Sequence, residues 1–378
     1  MERKFMKGSE AIAEAAIRGG CRFFSGYPIT PQNEIPEYFA RRAPEVDGFS
    51  FRQGESEVAS VNMVMGAAAS GARAMTSSSS PGVALKSEGM SYIAGSALPM
   101  VLCSVMRGGP GIGSIQPSQQ DYWQATKAMG NGGFKMLVFA PHTVQEAVDM
   151  TYTAFDYAER DHNPVCILAD GCIASMMEPV SLPEFVSDED IEKARDKRNY
   201  YITIGKGKHA DGKHVEISSG AGRVKADVEF MKSYGDIGAD YGVRGEVSNR
   251  SMAAMFKRWA EKDVAYEEYM MDDAEIVIAA YGTAARVSKA AIAVLRKEGI
   301  KAGLLRPILV NPFPTAAFKS LDPKKIKHIL DVEMSIPGQM LEDVEHAVQG
   351  AIPISTCLRS CGVIISREEI VAAVRNLK

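Results

Sequence analysis

Short apolar runs alternate with amphipathic stretches along the first 180 residues. Small apolar residues recur at helical spacing over residues 8 to 19 and stop at Gly19-Gly20. Cys21 to Tyr27 reads as a strand. Thr30-Pro31 follows as an N-cap and first-turn pair, opening a helix that runs to Arg42. The same alternation predicts a strand at 48–53, a helix at 55–71 headed by Glu55 and Glu57, and a strand at 73–77. Ser80-Pro81 predicts the start of a helix to Ala94. MVLCSVM, residues 100–106, is continuously apolar, as expected of a strand buried on both faces. A glycine-rich loop, RGGPGIGSIQPSQQ, comes next. It is followed by a helix through Ala128, a strand at 135–140, a helix at 143–158 and a strand at 164–170. Strands alternating with helices across short loops predict an α/β fold, a mostly parallel sheet with helices on both faces.

The pattern changes between residues 181 and 272. SDEDIEKARDKR is a charged, solvated stretch. YYITI and HVEIS flank KGKHADGK, with Asp211-Gly212 as a hairpin turn. KADVEFMKSYGDIGADYG and the charged run to Asp273 read as a connector with helical pieces. A second, smaller α/β unit starts at AEIVIAAYG, residues 274–282. It continues with a helix at 284–298, the strand GLLRPILV, the strand HILDVEM, and helices at 337–349 and 367–376. The expected segments are 1–180, 181–272 and 273–378.

Composition narrows the function classes. Hydrophobic residues make up 46% and charged residues 24%, enough for a packed core. A net charge of −4 argues against a nucleic-acid surface. No apolar run reaches the roughly 18 residues needed to span a bilayer. The N-terminus, MERKFMKGSEAIAEAA, has no apolar core or small-residue cleavage site of a secretory signal, so a cytoplasmic location is expected. The six cysteines are scattered. Cys357 and Cys361 form one C-x3-C with no second pair, so no metal or cluster site is expected in this chain.

Candidate chemistry gathers at strand ends. Gly207 to His214 nearly spells a phosphate loop, but His214 replaces the metal-binding hydroxyl and a strand-like VEISS replaces the helix. Gly282-Thr283 after a strand resembles a dinucleotide turn without its further glycines, and a plain strand-to-helix turn is the simpler reading. Arg107 follows a buried strand at the sheet edge where open α/β folds bind ligands. It can clamp a carboxylate there or lie at the surface beside a loop. Thr30 lies at the same kind of edge. Glu55 and Glu57 can serve a site or simply complement the helix dipole. A hydroxyl, an arginine and a carboxylate on one rim look like half of a site, with no histidine base and no serine nucleophile.

Four stretches together resemble the alpha subunit of 2-oxoacid:ferredoxin oxidoreductases. They are GYPITPQNEIPEY, ESEVASVNMVMGAAASGARAMTSSSSPG, MRGGPGIGSIQPSQQDYWQA, and AAYGTAARVSKAAIAVLRKEGIKAGLLRPILVNPFP. The resemblance covers nearly the whole chain, most weakly at 185–270, and the wording is nearest the 2-oxoisovalerate and 2-oxoglutarate subtypes. It implies a thiamine-diphosphate pyrimidine-type domain followed by a transketolase C-terminal-like domain. It implies that Glu57, nine residues before Gly66 as in the family pattern, hydrogen-bonds the aminopyrimidine and activates the cofactor. It places Thr30 and Arg107 on the substrate carboxylate, Tyr27 in the same substrate loop and Pro28 near the pyrimidine. The reaction implied is CoA-dependent oxidative decarboxylation of a 2-oxoacid to acyl-CoA and carbon dioxide, with electrons passing singly to ferredoxin. The chain has no stretch to hold diphosphate through Mg²⁺ and no ferredoxin-type cysteine run. The resemblance therefore implies a beta subunit carrying the diphosphate and Mg²⁺ site and a [4Fe-4S] cluster. It also allows for gamma and ferredoxin-like delta subunits. A non-redox thiamine enzyme, or a non-catalytic subunit of such a complex, is the alternative.

Overall fold

The computed structural model describes residues 2–187, 189–191, 193, 207–208, 214–215 and 241–377. The chain opens with β1 (Glu2–Lys7), α1 (Gly8–Arg18), β2 (Phe23–Gly26), α2 (Glu34–Arg42), β3 (Ser50–Gln53) and α3 (Glu57–Ala69). It continues through β4 (Ala74–Ser78), α4 (Ser80–Gly95), β5 (Met100–Gly108), β6 (Ser114–Pro117), α5 (Tyr122–Thr126) and β7 (Leu137–Phe139). Next come α6 (Val144–Asp161), β8 (Pro164–Asp170), α7 (Gly171–Ser175) and β9 (Met177–Leu182), the last pairing antiparallel with β1.

Strands β7, β8, β5, β4, β2 and β3 lie side by side in that order and all run parallel. β4, β5, β7 and β8 are buried along their whole length, as their continuous apolar runs require. Helices α1 and α6 pack on one face of the sheet, and α3 and α4 on the other. Two start signals sit later than their sequence suggests. The first helix after β2 begins at Glu34, because Thr30 to Asn33 are spent in turns in which the Gln32 amide N–H bonds the Ile29 carbonyl. The next begins at Glu57 behind a Ser56 N-cap, which leaves Glu55 outside the helix and exposed.

In the middle stretch, β10 (Gly207–Lys208) and β11 (His214–Val215) pair antiparallel as the hairpin reading requires, and the Asp211-Gly212 turn lies outside the described residues. α8 (Tyr241–Lys262) sends Trp259 into the core of the first sheet, where its indole N–H bonds Asp161 at 2.7 Å.

The second sheet orders β12 (Tyr266–Tyr269), β14 (Ala302–Pro307), β13 (Ile276–Ala279), β16 (His328–Glu333) and β17 (Ile354–Leu358), parallel except for β12. It carries α9 (Gly282–Lys297), α11 (Leu341–Val348) and α12 (Arg367–Arg375), with the short α10 (Thr315–Lys319) between strands. GLLRPILV, which reads as one strand, is two. β14 ends at Pro307, and β15 (Leu309–Asn311) crosses over to pair antiparallel with β7 of the first sheet. Proline cannot donate to a ladder, so the run changes sheets where that donor is missing. The helix expected at 337–349 is likewise shorter, beginning at Leu341 because Pro337 to Met340 wrap around the Glu333 carboxylate, which accepts from the Gln339 and Leu341 amides at 3.1 Å each. One apolar cluster, from Val61 through Tyr122 and Tyr281 to Val344, runs unbroken between the two sheets.

Candidate active site

β2 sits between β3 and β4, and the chain leaves β2 toward one side of the sheet and β4 toward the other. The crevice at their carboxyl ends is the topological switch point, where open α/β sheets hold ligands. The loop after β2 carries Tyr27, Pro28 and Thr30. The start of α3 carries Glu57, and β5 ends at Arg107 and Gly108 one strand further along.

Glu57 is 6% exposed at the head of α3, yet its carboxylate has no hydrogen-bond partner among the described residues. It lies against the first turn of α4, so close that a Cβ on Gly82 would stand 2.6 Å from its Oε1 and 2.2 Å from Ser78 Oγ. The Ser78 hydroxyl, which meets the same glycine, is buried and unpartnered, as is that of Ser79. Lys86, one turn further along α4, is fully buried. Its ammonium donates to the Glu57 main-chain carbonyl at 3.3 Å and to Thr76 Oγ1 at 3.0 Å. Burial pushes Lys86 down to about 7, against the opposing pull of the Glu57 charge.

Arg107, 5% exposed, joins two loops. Its Nη1 donates to the Thr30 carbonyl at 2.8 Å and its Nη2 to the Ile112 carbonyl at 2.9 Å, while the buried Nε has no partner. The structure thus brings Thr30 and Arg107 into contact, through the Thr30 backbone. The Thr30 hydroxyl accepts from Asn33 at 3.4 Å instead of capping a helix. The Tyr27 carbonyl accepts from buried Gln32 at 3.1 Å, and Pro28 is exposed at the rim.

The glycine-rich stretch is a tight excursion rather than a loop alone, since β6 turns back to pair with Arg107 and Gly108. Gly113 allows that turn, with a φ of +55° and a position where a Cβ would lie 1.8 Å from the Gly108 carbonyl oxygen. Ser80 is the first helical residue of α4, not its cap. Its hydroxyl accepts the Arg107 amide at 3.0 Å and donates to Asp121. Burial pushes the Asp121 carboxyl up to about 6, with the Ser80 bond and Arg107 pulling the other way. A cleft of about 450 Å³ opens here, bordered by Ser80, Pro110, Asp121 and, from the second unit, Pro337 and Gln339.

One of the sequence motifs finds a structural explanation. The Gly282-Thr283 helix start is filled by a protein carboxylate, for Asp170 accepts from Thr283 N at 2.7 Å and Thr283 Oγ1 at 2.6 Å. A phosphate has no room there. Cys357 and Cys361 are free thiols, and no group of three or more metal-ligating side chains occurs among the described residues. Lys86 and Asp121 escaped the sequence reading. The signal for Lys86 was a lone cation on the i, i+4, i+7 face formed with Gly82 and Gly89 of an otherwise small and apolar helix.

A family model described as "Pyruvate flavodoxin/ferredoxin oxidoreductase, thiamine diP-bdg" matches residues 14–217. One described as "Pyruvate:ferredoxin oxidoreductase core domain II" matches residues 274–370. The ketoisovalerate oxidoreductase subunit VorB of Methanothermobacter marburgensis is 38% identical over 377 residues, covering 100% of this chain and 98% of that protein. Among solved structures, the 2-oxoglutarate:ferredoxin oxidoreductase of Magnetococcus marinus, with 2-oxoglutarate, coenzyme A and succinyl-CoA bound, superposes with a TM-score of 0.76 at 25% identity. The match covers 99% of this chain and 65% of that one. A split-gene transketolase, 14% identical with a TM-score of 0.56, shares the fold. The fold is a thiamine-diphosphate pyrimidine-type domain with a smaller transketolase C-terminal-like domain, and the chain belongs to the pyruvate flavodoxin/ferredoxin oxidoreductase family. The residues present fit the pyrimidine end of that cofactor. Glu57, a largely buried residue whose carboxylate has no hydrogen-bond partner among the described residues, stands at the crevice beside the unpartnered Ser78 hydroxyl, and Gly82 lets both side chains close against α4.

Proposed function

We propose that this chain is the alpha-type subunit of a 2-oxoacid:ferredoxin oxidoreductase, a CoA-dependent enzyme that decarboxylates a 2-oxoacid oxidatively to acyl-CoA and carbon dioxide. The observation that carries the reading is Glu57, a residue only 6% exposed whose carboxylate has no partner among the described residues, on the sheet edge that also bears the joined Thr30 and Arg107. When bound, thiamine diphosphate supplies the nucleophilic carbon and the electron sink. Glu57 holds the proton at the aminopyrimidine nitrogen in a dry crevice. Arg107 and Thr30, with Tyr27 beside them, bind and orient the carboxylate that is lost, and Pro28 packs near the ring. The unpaired Arg107 Nε gives the guanidinium a free donor for an anion. The pyrimidine-type domain is placed at 1–180, the connector at 181–272 and the transketolase-like domain at 273–378.

Helix α3 explains why a partner is needed. It is apolar on most sides and leaves Val58 (43%) and Met63 (38%) exposed, and α4, which packs against it, leaves Leu85 (55%) and Tyr92 (49%) exposed. Large apolar side chains exposed on two packed helices suit a subunit interface. We assign it to a beta subunit, which brings the diphosphate and Mg²⁺ site and a [4Fe-4S] cluster, with gamma and ferredoxin-like delta subunits and ferredoxin downstream. Six free thiols suit a reducing compartment, and the cytoplasm is the location assigned. The greater identity to the ketoisovalerate relative favours 2-oxoisovalerate over 2-oxoglutarate as substrate.

The test is the complex purified anaerobically from its source, assayed for CoA-dependent viologen reduction with each 2-oxoacid. Glu57→Gln should abolish turnover while the subunits still assemble. Full activity in that variant, or a complex without thiamine diphosphate, would remove the assignment.

A further inference from the structure

Helix α4 presents Gly82, Lys86 and Gly89 to α3 on one face. The two glycines let the helices close up, since a Cβ on Gly89 would come within 2.4 Å of Val61 and one on Gly82 within 2.6 Å of Glu57. Between them the lysine passes through the gap to the sheet. Its ammonium meets the carbonyl of the first residue of α3 and the hydroxyl of Thr76 on β4, which in turn donates to the Ser25 carbonyl of β2 at 2.7 Å. One side chain thus ties α4, the head of α3 and both strands of the crevice. A fully buried amine is costly to keep for packing alone, because a well-packed apolar residue of similar volume serves the fold as well or better. Among the described residues the charged group facing it is Glu57.

We propose that Lys86 is a positioning residue for Glu57, fixing the first turn of α3 so that the carboxylate meets the aminopyrimidine ring in register. This rests on the reading that Glu57 activates thiamine diphosphate. The carboxylate oxygens make no hydrogen bond among the described residues, and the lysine takes the main-chain carbonyl instead. Burial keeps the amine ready to lose its charge, so it holds Glu57 without forming the tight ion pair that would withdraw it from the cofactor.

The test uses the intact complex. Lys86→Met should assemble, bind thiamine diphosphate to the wild-type extent and melt at the same or a higher temperature. Its iminopyrimidine circular-dichroism band and its kcat should both fall by about tenfold or more, with KM for the 2-oxoacid little changed. Thr76→Val, which keeps the lysine but removes one of its partners, should show a smaller loss in the same direction. It decides the matter if Lys86→Met does not assemble. A wild-type band and kcat in both variants would overturn the proposal. So would losses matched by a lower melting temperature, which would make Lys86 a packing residue. A wild-type band in Glu57→Gln would instead strike the Glu57 reading itself.

Discussion

Gly82→Ala isolates the position of Glu57 from the stability of the fold. Alanine is favoured over glycine by about 1 kcal/mol in a helix interior and by less in the first turn, where Gly82 lies. The new Cβ meets Ser78 Oγ at 2.2 Å and Glu57 Oε1 at 2.6 Å, both at the ends of side chains that can turn away. Turning two side chains off their preferred rotamers costs about 1–3 kcal/mol, so the net loss of stability is about 0–3 kcal/mol. The carboxylate oxygen, however, has to retreat from 2.6 Å to an ordinary contact of 3.4 Å. A shift of that size at a reacting group costs on the order of a hundredfold in rate. Gly89→Ala is the control. Its Cβ meets Val61 at Cγ1, Cγ2 and Cβ, atoms held by a β-branched side chain close to the helix backbone, at 2.4, 3.0 and 3.3 Å. That variant should lose more stability, about 2 kcal/mol, and less activity per folded molecule. Denaturant unfolding and viologen reduction on both complexes separate the two effects. Wild-type kcat in Gly82→Ala would show that Glu57 does not act from this position, and losses of activity proportional to losses of stability in both would reduce the contact to packing.

Arg107→Ala should raise the KM for the 2-oxoacid by about a hundredfold, the loss expected for a charge-assisted contact, and an unchanged KM would place the carboxylate elsewhere. Asp121 gives a pH signature. Its carboxyl titrates higher in the fold, so its contribution to stability is full below about pH 4 and is lost as pH rises through about 6. That amounts to about 3 kcal/mol at most, and Asp121→Asn should flatten the unfolding free energy across the window. Asp170→Ala should cost about 4 kcal/mol by denaturant titration, because it strands the Cys172, Ile173 and Thr283 amides in the interior. A loss under 1 kcal/mol would mean that water replaces the carboxylate.

The alternation of apolar and amphipathic segments made the parallel sheets legible, since a strand buried on both faces reads as an unbroken run, as Met100 to Met106 does. Local rules misplaced helix starts for a common reason. Thr30, Glu55 and Ser80 all suit a helix N-terminus by type, but all lie on the ligand edge of the sheet, where Thr30 and Ser80 are committed to loop contacts and Ser56 takes the cap in place of Glu55. Ser80 serves Arg107 and Asp121 in place of a cap. Of the candidate site, the sequence pointed to residues and not to their contacts. Arg107 followed from its place after a buried strand, and Glu57 was separable from Glu55 by family spacing, not by local chemistry. Lys86 was hidden because hydrophobic periodicity has no term for a cation that reaches across a helix pair to a threonine.

The second sheet supplies none of the five residues assigned to cofactor and substrate, yet it fixes where one of them can be. Arg107 is held through the Ile112 carbonyl, and Ile112 belongs to an excursion with little packing of its own, exposed between Gly111 and Gly113. What braces that excursion comes from the other unit. Gly108 lies against Cys361, Gly362 packs on Gln116, and Ser118 and Gln119 both donate to the Met334 carbonyl at 2.8 Å. Gln119 adds bonds to Tyr281 at 2.9 Å and from the Met334 amide at 2.8 Å. Asp170 caps α9 of the second sheet from the end of β8, and buried Arg306 of β14 pairs with Glu146 of α6. Contacts of this kind, largely buried and hydrogen-bonded, do not permit the hinge motion expected of two domains joined by a polar interface. The glycines that let the loop after β5 fold back would otherwise leave the guanidinium free to wander. A rigid second unit therefore holds Arg107 in place as Lys86 holds the head of α3, and the arginine proposed to bind substrate is positioned by residues more than 200 positions away in the sequence.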